Sequence, residues 1–296
     1  MKLAIIYTEG TISSEAQDGY LSPADKTKSQ LIKALDKDIK VESFQPYYIL
    51  SEQLDGENIT ALIKCVGDRL NENFDGIIIT HGTDTLQYSA AALSIAFGAS
   101  DIPIVFVSSN FILSDKRSNG LSNFICAVKF IREKIGGVFV SYKNAGGKPE
   151  IFTADSLLPH NPYSDKLAAV NKPFGYFEDE KFIQISQLPK LKSEGVFTLT
   201  KKSPVLWIRA HAGMRYPETA GYKAVLIESY HSGTLPTEDE DFIEFCEKSA
   251  VPIYVIGGGS EIPYESTKYY NQLNIVVLEK TSPIYAYISL WKRFQF

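Results

Sequence analysis

The sequence has few of the residues that build disulfide or metal frameworks. It contains three cysteines and four histidines in 296 residues. Cys65, Cys126 and Cys246 lie far apart among apolar residues at helical spacing, so we interpret them as small buried side chains. The histidines show no spacing typical of metal ligands. The sequence therefore predicts neither a structural metal nor another cofactor.

Long apolar runs and an excess of positive charge are also missing. No apolar segment approaches the roughly 18 residues that a membrane span needs. The first residues do not have the long apolar region and cleavage site of a secretory signal. The formal net charge is −5, which gives no electrostatic support for nucleic-acid binding. We therefore expect a cytoplasmic protein that binds a small molecule, and neither nucleic acid nor a membrane.

Short apolar runs alternate with amphipathic stretches in the first half of the chain. The runs are apolar nearly throughout, which is typical of parallel strands covered on both faces. This alternation predicts an α/β protein with a larger N-terminal doubly wound, mostly parallel sheet domain. The strands predicted there are 3–7, 40–44, 76–80, 104–108 and 137–141.

The rhythm changes after residue 142. Residues 142–180 predict loops or a hairpin, and a polar stretch with proline at both ends follows them. A second, smaller α/β unit comes next, with a helix at 237–249 that Thr237 and Glu240 would cap. Its predicted strands are 205–208, 223–228, 252–256 and 275–278. We thus predict three parts: an N-terminal domain carrying the active-site loops (1–188), a linker (189–204) and a C-terminal domain (205–296).

Polar clusters follow the predicted strands of the first domain. Thr8 to Thr11 follow the first strand, Ser51 follows the second, and Thr83 and Asp84 follow the third. Ligands of open parallel sheets bind outside these carboxyl ends. The alternative is structural, because such residues also cap helices and form turns, and Thr85 or Asp84 would suit a cap. Two similar clusters on two strands favour a functional pocket.

The residue types in this pocket suit acyl transfer. A threonine hydroxyl is a weak nucleophile that needs a base nearby, and either Asp84 or a tyrosine with a lowered pKa is a candidate. Backbone N–H groups around Gly10 and Gly82 would stabilise an oxyanion. The glycine-rich stretch VIGGGS at 255–260 does not have the lysine spacing of a phosphate-binding loop.

Several segments resemble bacterial-type L-asparaginases (the asparaginase/glutaminase family). YTEGTI resembles the first signature of that family, usually TGGTI, and THGTDTL contains the second signature, HGTDT, unchanged. DGYLSP resembles the mobile loop over the site, and SDKRSNGLSNFICAV resembles the segment after the fourth strand. IESYHSGTLP resembles a segment of the smaller domain. The resemblance covers most of the chain.

The resemblance implies a role for individual residues. Thr11 matches the nucleophile, and Tyr20 matches the tyrosine that assists its deprotonation. Thr83 matches the second essential threonine, and Asp84 matches the aspartate that binds the substrate amino group. Ser51 matches the serine that binds the substrate carboxylate. Further candidates for substrate binding are Gly10, Gly82 and Ser108.

The reaction implied is hydrolysis of L-asparagine to L-aspartate and ammonia through a threonine acyl-enzyme. The resemblance also implies a homodimer or homotetramer and no cofactor. Two alternatives stay open. One is a related amidase that acts on glutamine or another amide, and the other is a weakened binding protein on the same fold.

Two departures from the family pattern bear on the chemistry. Glu9 replaces a glycine and adds negative charge near a site that binds a carboxylate. The resemblance also implies a lysine that supports the second signature, expected near Thr153 or Ala154, and neither residue is basic. Lys143 or Lys148, from the preceding loop, are the candidates to replace it.

Overall fold

The computed structural model describes residues 1–8, 10–17, 20–23, 25–257 and 264–296, with the side chains of all except 13–17, 20–23 and 25–27. The chain divides into two units, Met1–Thr198 and Leu199–Phe296. This division falls within the predicted linker. The three predicted domain boundaries stay a prediction.

The first unit holds ten strands and four α-helices in its described residues. The five strands predicted in its first half are all present, with small shifts at their ends. Residues 142–180 form antiparallel strands as well as loops, in line with the hairpin prediction. The elements in chain order are β1 (Lys2–Tyr7), β2 (Ser14–Gln17), β3 (Tyr20–Pro23), α1 (Asp25–Lys33), β4 (Lys40–Phe44), α2 (Gly56–Leu70), β5 (Gly76–Thr80), α3 (Leu86–Phe97), β6 (Pro103–Val107), α4 (Gly120–Arg132), β7 (Gly137–Lys143), β8 (Pro149–Thr153), β9 (Gly175–Glu178) and β10 (Lys181–Gln184).

One eight-stranded sheet organises this unit. Its order is β10-β9-β8-β7-β6-β5-β1-β4, in which β4, β1, β5, β6 and β7 run parallel. Every residue of β5 and β6 is buried, because layers of helices cover the centre of the sheet. On one face α4 packs through Phe124, Phe130 and Ile131. The α/β fold class predicted from the sequence is confirmed.

The end of this unit is hydrogen-bonded to the C-terminus of α3. The N–H of Glu194 donates to the carbonyl of Ile95 at 3.1 Å, and the N–H of Gly195 donates to that of Ala96 at 3.0 Å. The last carbonyls of a helix have no partner within the helix, so these bonds satisfy groups that need one. This part of the predicted linker is therefore fastened to the first unit.

The second unit is a smaller α/β body, as predicted. Its four strands form one parallel sheet in the order β11-β12-β13-β14. Apolar residues of the sheet and of the first helix form its core. Its elements are β11 (Val205–Arg209), β12 (Ala224–Glu228), α5 (Glu240–Lys248), β13 (Ile253–Ile256), β14 (Ile275–Val277) and α6 (Pro283–Phe294).

The start of α5 differs from the prediction. Asp239, not Thr237, is the N-cap, and its carboxylate accepts a hydrogen bond from the N–H of Phe242 at 3.0 Å. The Thr237 hydroxyl instead donates to the carbonyl of Ser266 at 2.9 Å. The predicted capping box was wrong because a tertiary contact holds the Thr237 side chain away from the helix, and Asp239 caps it instead.

The cysteines are free thiols, and two of them are buried as predicted. Cys126 and Cys246 are buried, whereas Cys65 is half-buried. Burial raises the pKa of the Cys126 and Cys246 thiols to about 11, so they are protonated and unreactive at neutral pH. Among the helices of the described residues, none has the length and apolar character needed to cross a bilayer.

Candidate active site at the carboxyl edge of the large sheet

The two signature segments leave the sheet side by side. β1 and β5 are parallel neighbours, with Tyr7 paired to Thr80 at their carboxyl ends. Just beyond, the N–H and the hydroxyl of Thr8 both donate to the carbonyl of Thr80, at 3.3 and 2.8 Å. Sheet order therefore brings together two loops that lie about seventy residues apart in the sequence.

The two loops are in close backbone contact at Gly10 and Gly82. Gly10 has φ +95°, a conformation that L-residues rarely adopt. A Cβ atom at this position would lie 2.2 Å from the Cα of Gly82 and 2.5 Å from its nitrogen. Only glycine permits such an approach. Because Thr11 and Thr83 directly follow the two glycines, the contact sets the relative position of both threonine loops.

Thr11 begins a short 3-10 helix, Thr11–Ser13, and is half-buried. The next residue, Ile12, is fully buried in the core and anchors this turn. Tyr20 lies in β3, which pairs with β2 in a two-stranded ribbon. The Tyr20 side chain and the whole of Glu9 lie outside the described residues. The roles predicted for them stay predictions.

Ser51 and Thr85 form a hydroxyl pair beside the second signature. The Thr85 hydroxyl donates to the Ser51 carbonyl at 3.1 Å, and the two side-chain oxygens are 3.0 Å apart. Because a hydroxyl has a single proton, Ser51 is the donor in the contact between the side chains. Thr85 occupies the N-cap position of α3, but its side chain makes no capping hydrogen bond. The cap alternative for Thr85 is therefore wrong.

His81, a buried residue of the second signature, hydrogen-bonds to the signature loop and to α3. It is fully buried, and its Nδ1 lies 3.0 Å from the carbonyl oxygen of Gly82. A carbonyl only accepts, so Nδ1 carries the proton. Its Nε2 lies 2.8 Å from the Ser89 hydroxyl on α3. This histidine ties the loop to the helix and does not line the candidate pocket.

Ser108 follows β6, next to the second signature. It is fully buried, and its hydroxyl has no hydrogen-bond partner among the described residues. Its carbonyl accepts from the side-chain amide of Asn123 at 2.8 Å. Buried hydroxyls nearly always have a hydrogen-bond partner, so this hydroxyl is a candidate to donate to a bound ligand. Its predicted role in substrate binding stays a prediction.

Paired amides hold the loop after β6. The N–H of Asn110 donates to the Asn119 side chain at 2.9 Å, and the N–H of Asn119 donates to the Asn110 side chain at 3.1 Å. Further along, Arg117 lies 2.7 Å from the Asp115 carboxylate. Hydrogen bonds from Arg117 lower the pKa of Asp115 to about 2. This carboxylate is thus engaged within its own loop.

Thr83 and Asp84 line a cavity of about 450 Å³. Thr83 is half-buried and Asp84 is exposed. Residues 159–165, which we call the far wall, line the same cavity. The hydroxyl of Tyr142 on β7 supports this wall by donating to the carbonyl of Asp165 at 2.8 Å.

The far wall contains a histidine that no sequence motif marks as a site residue. His160 lines the same cavity as Thr83 and Asp84. Its Nδ1 is buried and has no hydrogen-bond partner among the described residues. Burial lowers the pKa of this imidazole, while the Lys166 backbone and then the carboxylates of Asp84 and Asp165 act in the opposite direction. No spacing rule pointed to it, because it stands in an irregular segment.

Neither candidate to replace the missing lysine, Lys143 or Lys148, is among the described residues that line the cavity of Thr83. The Thr153 hydroxyl donates to the Ser156 hydroxyl at 3.0 Å. The Lys148 ammonium lies 3.7 Å from the Glu178 carboxylate and 3.2 Å from the centre of the Tyr176 ring. It is engaged on the β8–β9 side of the sheet. Among the described residues, those that line the cavity of Thr83 include no lysine or arginine.

A larger cavity, about 650 Å³, lies in the second unit between residues 215–222 and α5. None of the candidate site residues lines it. Among the described residues, no three histidine, cysteine or acidic side chains are placed to hold a metal ion. We therefore retain the carboxyl edge of the large sheet as the candidate site.

One known protein family matches the N-terminal half of the chain, which contains the candidate site. The sequence model described as "Asparaginase, N-terminal" matches residues 2–159, more than half of the chain. The chain belongs to the asparaginase family. The matched range contains both signatures and ends immediately before His160.

Two kinds of relative have similar sequences. The L-asparaginase of Thermococcus kodakarensis is 27% identical over 261 residues, which are 84% of this chain and 77% of that protein. A glutamyl-tRNA(Gln) amidotransferase subunit of Methanosarcina acetivorans is 35% identical over 144 residues, 47% of this chain and 34% of that protein. The corresponding subunit of Archaeoglobus fulgidus is 29% identical over 266 residues, 83% of this chain and 63% of that protein. The chain thus spans less than two thirds of these amidotransferase relatives.

Solved structures of asparaginases have the same fold. The thermostable L-asparaginase from Thermococcus kodakarensis superposes with a TM-score of 0.83 at 21% identity, covering 100% of this chain and 93% of that chain. The "Probable Cytoplasmic L-asparaginase" from Campylobacter jejuni gives 0.74 at 20% identity, covering 99% and 94%. At these identities the likeness establishes the fold.

Proposed function

We propose that this protein is an amidohydrolase that converts L-asparagine to L-aspartate and ammonia through an acyl-enzyme on Thr11. The contact between Gly10 and Gly82 carries the proposal, because it holds the loops of Thr11 and Thr83 together at the carboxyl edge of the sheet. Membership of the asparaginase family supports amide hydrolysis as the reaction type.

In the first half of the reaction, the Thr11 hydroxyl attacks the side-chain amide carbon. Tyr20 accepts the hydroxyl proton, the role that the family resemblance implies for it. Backbone N–H groups around Gly10 and Gly82 stabilise the oxyanion that forms. The C–N bond then breaks, ammonia leaves with the transferred proton, and an ester on Thr11 remains.

Substrate recognition requires a carboxylate and a hydroxyl donor. The exposed carboxylate of Asp84 suits the α-ammonium group, since charge-assisted hydrogen bonds are the strong ones. The Ser51 hydroxyl would donate to the α-carboxylate. Its proton is directed to Thr85 without substrate, so a bound carboxylate has to compete for it. Ser108 offers a further donor beside the same loops.

The test is ammonia release from purified protein with L-asparagine, D-asparagine and L-glutamine in parallel. We expect release from L-asparagine and a loss of about 10⁴-fold or more in Thr11→Ala. Thr11→Ser keeps a hydroxyl nucleophile and is the matched control. Equal turnover in wild type and Thr11→Ala would exclude Thr11 as the nucleophile.

The same assay distinguishes the open alternatives. Release from glutamine alone would identify a related amidase. No release from any amide, together with asparagine binding in calorimetry, would identify a binding protein on this fold. Either result would overturn the proposed substrate.

A second candidate function is ammonia supply within an amidotransferase. The relatives that are glutamyl-tRNA(Gln) amidotransferase subunits favour it, and the net charge of −5 would leave tRNA contacts to another protein. The test is amide-¹⁵N-asparagine in a host extract with and without this protein. Label in glutaminyl-tRNA only when the protein is present would support transfer. Free labelled ammonium from the purified protein alone supports hydrolysis.

A homodimer or homotetramer in the cytoplasm belongs to the same proposal. The support is the family resemblance, and for location the name of the Campylobacter jejuni neighbour. Light scattering on the purified protein measures the assembly directly. A monomer at enzyme-assay concentrations that still turns over substrate would contradict the proposed pairing.

A further inference from the structure

The cavity of Thr83 and Asp84 contains a buried histidine nitrogen. His160 lines this cavity, and its Nδ1 is buried and unpaired among the described residues. An unpaired buried nitrogen costs free energy, so its retention needs an explanation. A perturbed titratable group inside a cleft is typical of a functional site.

Burial and the neighbouring charges act on the protonation state of His160 in opposite directions. Asp84 and Asp165 act on it electrostatically, and the Lys166 backbone favours its cation as well. Tyr88 and Tyr142 also line the cavity. Burial is the largest effect and lowers the pKa of His160 below its ordinary value of 6.5. The imidazole is therefore neutral at pH 7 and has a free acceptor nitrogen.

The other bases of the cavity are weaker. Asp84 and Asp165 are carboxylates, which as a class are weaker bases than a neutral imidazole. The hydroxyl of Tyr142 already donates to a carbonyl. The described part of the lining includes no lysine or arginine. Among the side-chain types found there, imidazole has the ordinary pKa closest to neutral.

We propose that His160 is the proton acceptor of the Thr83 side of the site and acts in hydrolysis of the acyl-enzyme. This inference rests on the proposed function. A water oxygen attacks the ester carbonyl and gives its proton to Thr83, while Thr83 gives its own proton to His160. When the bond between the carbonyl carbon and Thr11 breaks, the proton returns through Thr83 to the Thr11 oxygen. Water is consumed, and aspartate and free Thr11 result.

Three variants test the role. His160→Gln keeps a polar side chain without a base, His160→Lys supplies a different base, and His211→Gln changes an exposed histidine of the second unit as the matched control. We expect kcat to fall about 10²-fold in His160→Gln and KM to fall with it, so that kcat/KM, which acylation sets, stays within about 3-fold of wild type. We expect no change in His211→Gln. An unchanged kcat in a folded His160→Gln protein would overturn the proposal.

The assignment to the second half of the reaction predicts a kinetic signature. In His160→Gln the ester should accumulate, so ammonia release should show a burst of about one equivalent per site before a slow steady state. Mass spectrometry of quenched protein should detect the adduct on Thr11. Slow release without a burst or adduct would assign His160 to another step and contradict the proposal.

The pH profile separates proton transfer from a structural role. The kcat of the wild type should decline as pH falls through the pKa of His160, below 6.5, because the imidazolium cannot accept a proton. This acid limb should disappear in His160→Gln and move to higher pH in His160→Lys. An acid limb that persists unchanged in His160→Gln would show that another group titrates.

An NMR titration measures the pKa of His160 and so tests its contact with Asp84 independently of enzymatic activity. In Asp84→Asn the imidazole loses a carboxylate that favours its cation, so its pKa should fall further. An unchanged pKa would show that the two side chains do not interact. A wild type inactive on every amide would overturn the proposed function and the proton-transfer role with it, while this titration would still decide whether His160 faces Asp84.

Discussion

The two sides of the candidate site are built in different ways. On the signature side, Thr11 and Thr83 follow adjacent parallel strands, and a contact between Gly10 and Gly82 holds their loops together. The far wall, residues 159–165, has no strand or helix of its own. Backbone hydrogen bonds close this loop, from Leu158 to Ala168 and from Ser164 to Asn161, and the Tyr142 hydroxyl bonds to its backbone. The comparison teaches that the sheet positions one side, whereas an irregular loop with a few individual hydrogen bonds forms the other.

Breaking the glycine contact should have the largest effect. Gly10→Ala places a Cβ 2.2 Å from the Gly82 Cα in a strained φ region, so unfolding free energy should fall by about 2–5 kcal/mol. Displacement of Thr11 should lower kcat by about 10²-fold or more. Urea denaturation and steady-state kinetics measure the two effects.

Gly146→Ala is the matched control for that prediction. Gly146 also has a positive φ, +73°, but a Cβ there would meet nothing within 4 Å. We expect a loss of about 1–2 kcal/mol and unchanged kinetics. Equal losses for both variants would show that φ strain, and not the contact between loops, explains the first result.

Removing the charge of Asp84 should have the next largest effect. Asp84→Asn should raise KM for L-asparagine about 10- to 100-fold, because a charge-assisted bond to the α-ammonium is lost. Asp165→Asn, on the far wall, should change KM by less than about 3-fold. Comparable KM effects in both variants would contradict the assignment of the amino-group site to the signature side.

Substitutions in the Ser51–Thr85 pair should have smaller effects on KM, and only the change at Ser51 should raise it. Ser51→Ala should raise KM about 3- to 10-fold through loss of one hydrogen bond. Thr85→Val removes the competitor for the Ser51 proton, so KM should stay the same or fall. A higher KM in both variants would indicate that the pair acts as a unit and that Ser51 is not the donor to substrate.

The smallest effect should come from the support of the far wall. Tyr142→Phe loses the bond to the Asp165 carbonyl, so unfolding free energy should fall by about 0.5–1.5 kcal/mol with KM nearly unchanged. Tyr163→Phe is the control, because Tyr163 is fully exposed. A loss of stability in the control as large as in Tyr142→Phe would show that the loss does not depend on this hydrogen bond.

Local sequence patterns were sufficient for the strands but not for every boundary. β5 and β6 are short apolar runs ended by polar residues, and they lie where the pattern predicted. The cap of α5 was misplaced because Thr237 bonds to Ser266, which is distant in sequence. Capping rules consider neighbours along the chain and cannot include such a competitor.

By itself the sequence determined the α/β fold, the two signatures and the family, because periodicity and glycine-containing motifs are local properties. The tertiary structure alone decided which groups share the cavity with Thr83. His160 reaches it through an irregular segment, and Lys148 is turned away toward Glu178. The physical reason is that an irregular segment takes its position from contacts between distant residues, which no local pattern encodes.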